Sequence, residues 1–490
     1  MALNEVKMSD QPKYKRNIAY WVSYDLGNTI YSMVVVSLTI QGLIYYFMYT
    51  GGSGVNAVNN GNLFFAVTLF LGNVLMAMFS PFLGAYADNQ TSRKRLLFLL
   101  SSVCMLFMAM LSISAFLPTG ELYSVIIILT IFLIANVGYQ CALVVYDSML
   151  PFIADKEHVA KTSGLGVAIG YFGSFIAIGV SFILDARYGK FIMQAETETT
   201  SATFQLGYAP YIYPLAAILF LLFALPLFMW LKEKNRVLPE KSLDTLKAEV
   251  IKQVKSTGSE IKNKNKDMFW FLVGWLIFVD AANTIIAYMA VLIQIGLEFG
   301  DQGPVFTVLG IGIMTAVLGT YPIGMYVTKK GPRSGLKLVF SLWLVAIIIG
   351  FFTNFSIGNQ RTPSELVYLV GIFTGPALGG TWVVQRQYVV ELAPPERVGN
   401  YFGFSNIFGR ISAAIGPLVW FVSVLFFTQT LKMNAALGTR YTLLTVGILV
   451  VLGFLIIYLK VRDPHKIYLA GGRAVGDGTY VDNNNNQMTF

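Results

Sequence analysis

Residues 25–30 read Asp-Leu-Gly-Asn-Thr-Ile, and residues 280–285 read Asp-Ala-Ala-Asn-Thr-Ile. Each string lies within a run of apolar residues, and the two strings are 255 positions apart. A repeat over such a distance in an apolar chain is typical of membrane proteins built from two copies of one helical bundle. The two strings therefore predict two related halves, each of which begins with a membrane-spanning helix.

Two further segments repeat at nearly the same distance. The segment GAYADNQTSRK at 84–94 matches GMYVTKKGPR at 324–333 with an offset of 240 residues, and 154–164 matches 393–403 with an offset of 239. The glycine- and asparagine-rich stretch at 51–61 accounts for the 15-residue difference from the first offset. The halves therefore share one topology over several helices.

The composition excludes an ordinary soluble enzyme. Of 490 residues, 12% are charged and 55% are hydrophobic, whereas about 25% of a soluble domain is charged. Apolar runs of about 20 residues, enough to cross a bilayer, occur twelve times. The predicted spans are 18–48, 62–87, 96–117, 121–150, 162–184, 211–231, 268–297, 303–328, 335–355, 363–391, 400–428 and 440–461.

The spans divide the chain into five parts. Six-helix bundles are predicted at 18–231 and 267–462, after an N-terminal segment at 1–17. The linker at 232–266 has apolar residues at near-helical spacing among lysines, which fits an amphipathic helix on anionic lipid and fits a flexible linker equally well. The tail at 463–490 is predicted to be disordered.

The distribution of basic residues predicts the orientation of the chain in the membrane. One set of alternate loops, with the termini, holds 28 Lys and Arg residues, and the other set holds five, including Arg440. Basic loops stay in the cytoplasm, so both termini are expected there. Membrane topology also accounts for the net charge of +9 without nucleic-acid binding.

Three ionisable residues are expected deep in the membrane, where each costs roughly 2.5–3.5 kcal/mol. They are Asp25, Asp280 and Arg410. Asn28 and Asn283 follow the two aspartates by three residues, which places carboxylate and amide on one helical face. We expect these faces to line a common cavity, with the aspartates binding substrate or a proton and Arg410 binding a substrate carboxylate. The alternative is a purely structural set of ion pairs.

A second group of polar residues is expected near the cytoplasmic ends of the helices. Asp147 and Arg386 are equivalent under the 239-residue offset, and we expect them to pair as a gate; Arg386 is also a candidate substrate ligand. Asp88 with the following basic residues is expected to form a gating latch at the membrane surface. The remaining gating candidates, from the two copies of this loop, are Gly84, Arg93, Lys94, Gly324 and Arg333.

The two six-helix halves, the basic loop between spans 2 and 3, and the long central linker resemble the major facilitator superfamily. Within it, the segments WVSYDLGNTIYS, SPFLGAYAD and LPFIADKEHVAKTSGLGVAIGYFG resemble the vacuolar-effluxer branch, as does the segment GGTWVVQRQYVVELAPPERVGNYFGFSNIFGR. The resemblance implies an all-α major facilitator fold and efflux of amino acids by alternating access. Asn89 and Thr91 depart from the superfamily's loop pattern, and span 5 lacks the Gly-Pro step of drug/proton antiporters.

The sequence lacks the usual motifs of a metal site, a nucleotide-binding site or an active site. The two cysteines have no paired spacing, neither histidine lies in an apolar run, and no phosphate-binding GK[ST] loop occurs. We therefore expect no metal, no cofactor and no catalysis.

The expected partners are a small-molecule substrate, the lipid bilayer and a coupling proton, and we expect a monomer. A multidrug or sugar transporter, or a non-transporting receptor or scaffold, remains as an alternative.

Overall fold

The computed structural model describes residues 14–49, 54–90, 92–155, 158–194, 203–233, 243–299, 303–358 and 360–469, with short strands beyond. Most of these residues are helical. The long helices are Tyr14–Tyr31, Ile40–Met48, Gly54–Asp88, Arg93–Met110, Leu122–Ile153, Val159–Tyr188, Ala209–Trp230, Leu243–Asn263, Lys266–Ala287, Gly303–Lys330, Pro332–Phe352, Leu366–Leu392, Val398–Leu425 and Ala435–Lys460. The strands are Ile192–Gln194 with Thr203–Gln205, Ser356–Ile357 with Gln360–Arg361, and Arg473–Ala474, Tyr480–Val481 and Gln487–Met488.

Twelve helical stretches in the described residues are long and apolar enough to cross a membrane. This confirms the all-α fold class and the number of predicted spans. We number them as spans 1 to 12. They are Tyr14–Met48, Leu63–Asp88, Arg93–Ala115, Leu122–Ile153, Val159–Tyr188, Ala209–Trp230, Lys266–Ala287, Pro304–Lys330, Pro332–Phe352, Leu366–Leu392, Pro395–Thr430 and Ala436–Ile467.

Spans 1 and 7, which carry the repeated strings, share an irregularity. Span 1 changes from α-helix to π-helix over Ser32–Thr39. Span 7 is followed by one short turn and then by a π-helix over Leu292–Gly296. Such π-segments interrupt the regular ladder of backbone hydrogen bonds and are frequent at functional sites.

The chain packs as two compact units. The first contains residues Met1–Met76, Thr91–Tyr146 and Ile169–Val237. The second contains Leu238–Phe490 together with Ala77–Gln90 and Asp147–Ala168, which are the ends of spans 2, 4 and 5 next to basic loops. We call this end of the helices the basic-loop end. At the basic-loop end, the ends of spans 2, 4 and 5 therefore belong to the second packing unit, although they belong to the first half of the sequence repeat.

Each unit has an aromatic core. In the first unit, the rings of Trp21 and Tyr146 stack at 4.3 Å, and the hydroxyls of Tyr24 and Ser101 are 2.8 Å apart. In the second unit, Phe271 stacks on Tyr388 at 4.8 Å. Such ring pairs contribute about 0.5–1.5 kcal/mol each beyond the area that they bury.

The linker contains a helix, Leu243–Asn263, which we call the linker helix. Val250, Thr257 and Ile261 are buried, so part of its surface packs on protein. Its predicted contact with anionic lipid stays a prediction. Order also extends past residue 463, since Pro464–Leu469 is helical and Arg462 binds Asp267 at 2.7 Å. This helix lies within 463–490, the tail for which disorder is predicted, and most residues after 469 lie outside the described residues.

Candidate functional site

Asp25 lies about 17 Å along span 1 from Tyr14, at 1.5 Å per residue, and is buried. The amide of Asn28 donates to its carboxylate at 3.3 Å. Gly170 of span 5 packs directly on this group, because a Cβ there would lie 3.0 Å from Thr29 Oγ1 and 3.4 Å from Asp25 Cγ. The other amide atom, Asn28 Oδ1, is buried without a hydrogen-bond partner among the described residues.

Asp280 of the second unit is also buried against a glycine of the fifth helix, but its hydrogen-bond partner differs. It is buried about 21 Å along span 7 from Lys266. Ser412 Oγ of span 11 donates to Asp280 Oδ1 at 3.5 Å. Gly416 of span 11 packs on the group, and a Cβ there would collide with Thr284 Oγ1. In each unit a glycine of the fifth helix thus meets the repeated Asp and Thr of the first helix.

The other two predicted residues of this group are Asn283, close in sequence to Asp280, and Arg410, close in sequence to Ser412. Asn283 is half-buried on span 7, one turn from Asp280. Arg410 is half-buried on span 11, two residues before Ser412 and about 18 Å from Val398. The second unit therefore holds a carboxylate on span 7 and a guanidinium on span 11 at similar depth along their helices.

Asp147 and Arg386 are brought together at the basic-loop end, as their equivalence in the repeat predicts. Arg386 Nη2 lies 2.9 Å from Asp147 Oδ1, and the two side chains are 10% and 19% exposed. Arg386 Nη1 also donates to Ser163 Oγ at 3.2 Å. The pair joins the end of span 4 to span 10, and the serine adds span 5.

Asp88 accepts hydrogen bonds from the backbone N–H groups of Gly399, at 3.0 Å, and Asn400, at 2.9 Å. These groups belong to the first turn of the helix that begins at Val398, where backbone N–H groups have no partner within the helix. A carboxylate there also interacts favourably with the helix dipole. We call this contact the Asp88 latch. Gly84 permits it, because a Cβ there would collide with the carbonyl oxygen of Gly399.

The basic residues of the two copies of the loop lie at the starts of spans 3 and 9. Lys94 Nζ donates to the carbonyl oxygen of Leu231 at 3.0 Å, so it holds the end of span 6. Arg93 is buried at the start of span 3. In the second copy of the loop, Arg333 donates to the carbonyl oxygen of Tyr458 at 2.6 Å and lies 4.4 Å from the centre of its ring.

The linker helix contacts both sides of the Asp88 latch. Gln253 donates to Asp88 Oδ2 at 3.4 Å, and Asn89 donates to Gln253 Oε1 at 2.7 Å. Seven residues later, Glu260 accepts hydrogen bonds from Arg397 at 2.9 Å and from Tyr401 at 2.7 Å. Sequence reasoning missed this, although the seven-residue spacing places Gln253 and Glu260 on one face of the helix.

The location of Arg440 also differs from the sequence prediction, which puts this residue in an outer loop. It is buried on span 12. Its guanidinium donates to the carbonyl oxygens of Gly296 at 3.1 Å, Phe351 at 2.9 Å and Thr353 at 2.7 Å. Gly296 ends the π-helix that follows span 7, and Phe351 and Thr353 lie at the end of span 9. Backbone carbonyls at the end of a helix lack partners within it and attract a cation.

Known structures have the same fold. The proton:xylose symporter XylE has a TM-score of 0.67 and 14% identity, covering 93% of this chain and 99% of that chain. The human organic anion transporter MFSD10 (TETRAN) has a TM-score of 0.62 and 13% identity, covering 91% and 100%. At these identities the likeness concerns the fold alone. Together with the twelve spans and the repeat, it shows the major facilitator fold.

The branch follows from sequence matches. Residues 59–457 match the family described as "Vacuole effluxer Atg22 like", so the chain belongs to that family of transporters. An uncharacterized MFS-type transporter of Bacillus subtilis, YxiO, is 24% identical over 437 residues, 88% of this chain and 92% of the relative. Autophagy-related protein 22 of Yarrowia lipolytica is 26% identical over 284 residues, 53% of this chain and 45% of the relative.

Proposed function

We propose that this transporter exports an amino acid, or a related zwitterion or organic anion, by alternating access. The observation that carries the proposal is the pair of repeat-related buried carboxylates, Asp25 and Asp280, each packed against a glycine of the fifth helix of its own bundle. Burying a carboxylate in a membrane is costly. Its presence at the same position in both halves favours a role in binding.

Arg410 supports an anionic or zwitterionic substrate. A guanidinium grips a carboxylate through two parallel hydrogen bonds, and this geometry distinguishes a carboxylate from a neutral sugar. In the second unit, Arg410 lies on the same helix as Ser412, the hydroxyl partner of Asp280. We propose that Arg410 binds the substrate carboxylate and that Asp280 binds the substrate amine or a coupling proton.

Asn28 supports a substrate with hydrogen-bond donors. Its buried Oδ1 has no partner among the described residues. A buried acceptor left unsatisfied costs about 1–3 kcal/mol. A substrate ammonium group would satisfy this oxygen beside the carboxylate of Asp25, which already accepts from the same amide group. We therefore propose that Asp25 and Asn28 bind a hydrogen-bond donor or a coupling proton.

The contacts at the basic-loop end support alternating access. The Asp147–Arg386 pair and the Asp88 latch join helix ends of the first repeat to helices of the second repeat. Such contacts must break for this end to open, so they set the balance between two states. We propose that this end faces the cytoplasm, since the loops there hold most of the basic residues. Efflux is supported by the name of the family.

A ligand screen tests the substrate class. Purified protein is heated with zwitterions, organic anions, organic cations or neutral sugars, and the unfolding temperature is measured. A ligand at 100 times its Kd should add about 2.7 kcal/mol to the stability. We expect stabilisation by zwitterions or organic anions, and loss of that stabilisation in Asp280→Asn. Stabilisation by sugars alone would contradict the proposal and favour a sugar transporter.

A further inference from the structure

Two cations lie beside one tyrosine ring in the second unit, where span 9 begins after its basic loop. Arg333 and Lys337 are four residues apart near the start of span 9, so they lie on one face of that helix. The guanidinium carbon of Arg333 lies 4.4 Å from the centre of the Tyr458 ring, and Nζ of Lys337 lies 4.9 Å from it. Two positive charges are therefore held beside one residue of span 12.

These two charges are not balanced by a carboxylate in the described part of the chain. None of the ion pairs among the described residues includes Arg333 or Lys337. Arg333 donates to the carbonyl oxygen of Tyr458 at 2.6 Å, but this acceptor is neutral. Because like charges repel each other, an anion that contacts both cations would stabilise the arrangement.

The surface of span 12 beside these cations faces lipid. Ile448, Leu452, Leu455 and Leu459 follow one another at intervals of three or four residues, so they form one face of the helix. Their exposed fractions range from 39% to 70%. A continuous exposed apolar face on a membrane span contacts the acyl chains of the bilayer. Tyr458, next to Leu459 and three residues from Leu455, therefore borders this face.

A neighbouring aromatic residue indicates the depth of the cations in the membrane. Lys460 follows Tyr458 by two residues, about 3 Å along the helix, and its Nζ lies 5.9 Å from the ring of Trp270. Trp and Tyr are enriched at the level of the lipid headgroups, where their rings are apolar and their tips are polar. The cations beside Tyr458 are therefore at the level of the headgroups.

We propose that Arg333, Lys337 and Tyr458 bind the phosphate group of an anionic phospholipid at the basic-loop end. We call these three residues the phosphate cluster. The two cations supply the charge, and the hydroxyl of Tyr458 supplies a further donor. The apolar face of span 12 receives an acyl chain, which favours a lipid over a free phosphate. This site lies outside the proposed substrate site and depends neither on the substrate nor on alternating access.

Native mass spectrometry tests the proposal by counting the lipids bound to purified protein. The protein is titrated with phosphatidylglycerol, which is anionic, or with phosphatidylcholine, which is neutral overall. We expect Lys337→Gln to weaken phosphatidylglycerol binding about fivefold, as expected for one basic residue near an anionic headgroup, and to leave phosphatidylcholine binding unchanged. Lys337 is exposed, so this substitution should not prevent folding. Unchanged binding of phosphatidylglycerol would overturn the proposal.

Two further variants distinguish a site from general attraction between basic residues and anionic lipid. Lys15→Gln removes an exposed lysine at the start of span 1, in the same set of basic loops and termini, and should bind phosphatidylglycerol like the unmodified protein. Lys337→Arg keeps the charge and should also bind normally. Equal weakening by Lys15→Gln and Lys337→Gln would show that total charge attracts the lipid, and would overturn the site.

A soluble phosphate separates a lipid site from a site for free phosphate. Glycerol 3-phosphate has the phosphate and glycerol of the lipid but no acyl chain, so we expect millimolar concentrations to leave phosphatidylglycerol bound. The proposal is overturned if glycerol 3-phosphate displaces the lipid from the unmodified protein and binds Lys337→Gln more weakly. That result would make the phosphate cluster a site for a free phosphate ester.

Discussion

Asp147 and Arg386 occupy the same position in the two halves of the repeat and bind each other at 2.9 Å. An ancestral position has therefore taken opposite charges in its two copies. The pair lies at the basic-loop end, where it joins helices of both repeats. Because the two side chains are mostly buried, removing one partner of the pair is expected to cost more than removing one partner of a surface ion pair.

Asp147→Asn should lower the free energy of unfolding by about 3–5 kcal/mol, since it leaves Arg386 buried with its charge partner removed. Chemical or thermal unfolding in detergent measures the change. The control is Arg361→Gln, which breaks an ion pair with Glu298 at 3.2 Å whose side chains are 59% and 41% exposed. That variant should change stability by less than about 1 kcal/mol. Equal effects of the two variants would contradict a buried gate pair.

Asp88→Ala should slow transport several-fold and leave substrate affinity within a few-fold. The lost cap is worth roughly 0.5–2 kcal/mol, which shifts the balance of states without removing a substrate contact. Initial transport rates and equilibrium binding measure the two quantities. Asp244→Ala is the matched control, since Asp244 is exposed in the first turn of the linker helix. Complete loss of binding in Asp88→Ala would place Asp88 in the substrate site.

Gly84→Ala should prevent close approach of the two helices at the Asp88 latch. The added methyl group would collide with the carbonyl oxygen of Gly399, and such overpacking costs about 1–3 kcal/mol. Transport should fall, and hydrogen exchange at 398–403 should rise. Gly179→Ala is the control, because a Cβ at Gly179 meets no described atom within 4 Å. It should leave transport unchanged and keep or raise stability by up to about 1 kcal/mol.

Arg410→Lys should weaken substrate binding by about 1–3 kcal/mol, because lysine keeps the charge but loses the planar pair of donors. Isothermal titration with the ligand found in the screen measures the change. Arg187→Lys, at an exposed site in the last turn of span 5, should bind normally. If Arg410→Lys binds normally and Arg386→Lys does not bind, the substrate site lies nearer the basic-loop end than we propose.

The repeat made much of the fold and part of the site predictable. Twelve apolar runs are visible in the sequence because crossing a bilayer requires a fixed length of apolar helix. The pairing of Asp147 with Arg386 followed from their equivalent positions and opposite charges. Each of these predictions used only spacing along the chain and one general physical constraint.

The contacts that were not predicted are made by residues whose neighbouring sequence does not reveal their partners. Arg440 follows an outer loop and resembles a solvated arginine, but it donates hydrogen bonds to four backbone carbonyls that are distant in sequence. Gln253 and Glu260 lie on a helix rich in lysine, where polar residues are expected on any face. The sequence names no partner for Lys94, and the carbonyl of Leu231 is known as its acceptor only from the folded structure.

Counterflow in proteoliposomes tests the central claim most directly. Liposomes with purified protein are loaded with an unlabelled amino acid and diluted into a trace of the same labelled amino acid. We predict transient accumulation of label above its equilibrium level, its absence in protein-free liposomes, and its reduction in Arg410→Lys and Asp280→Asn. Protein that binds a zwitterion or organic anion, yet gives no counterflow of that ligand, would contradict transport by this site and would favour a receptor or scaffold.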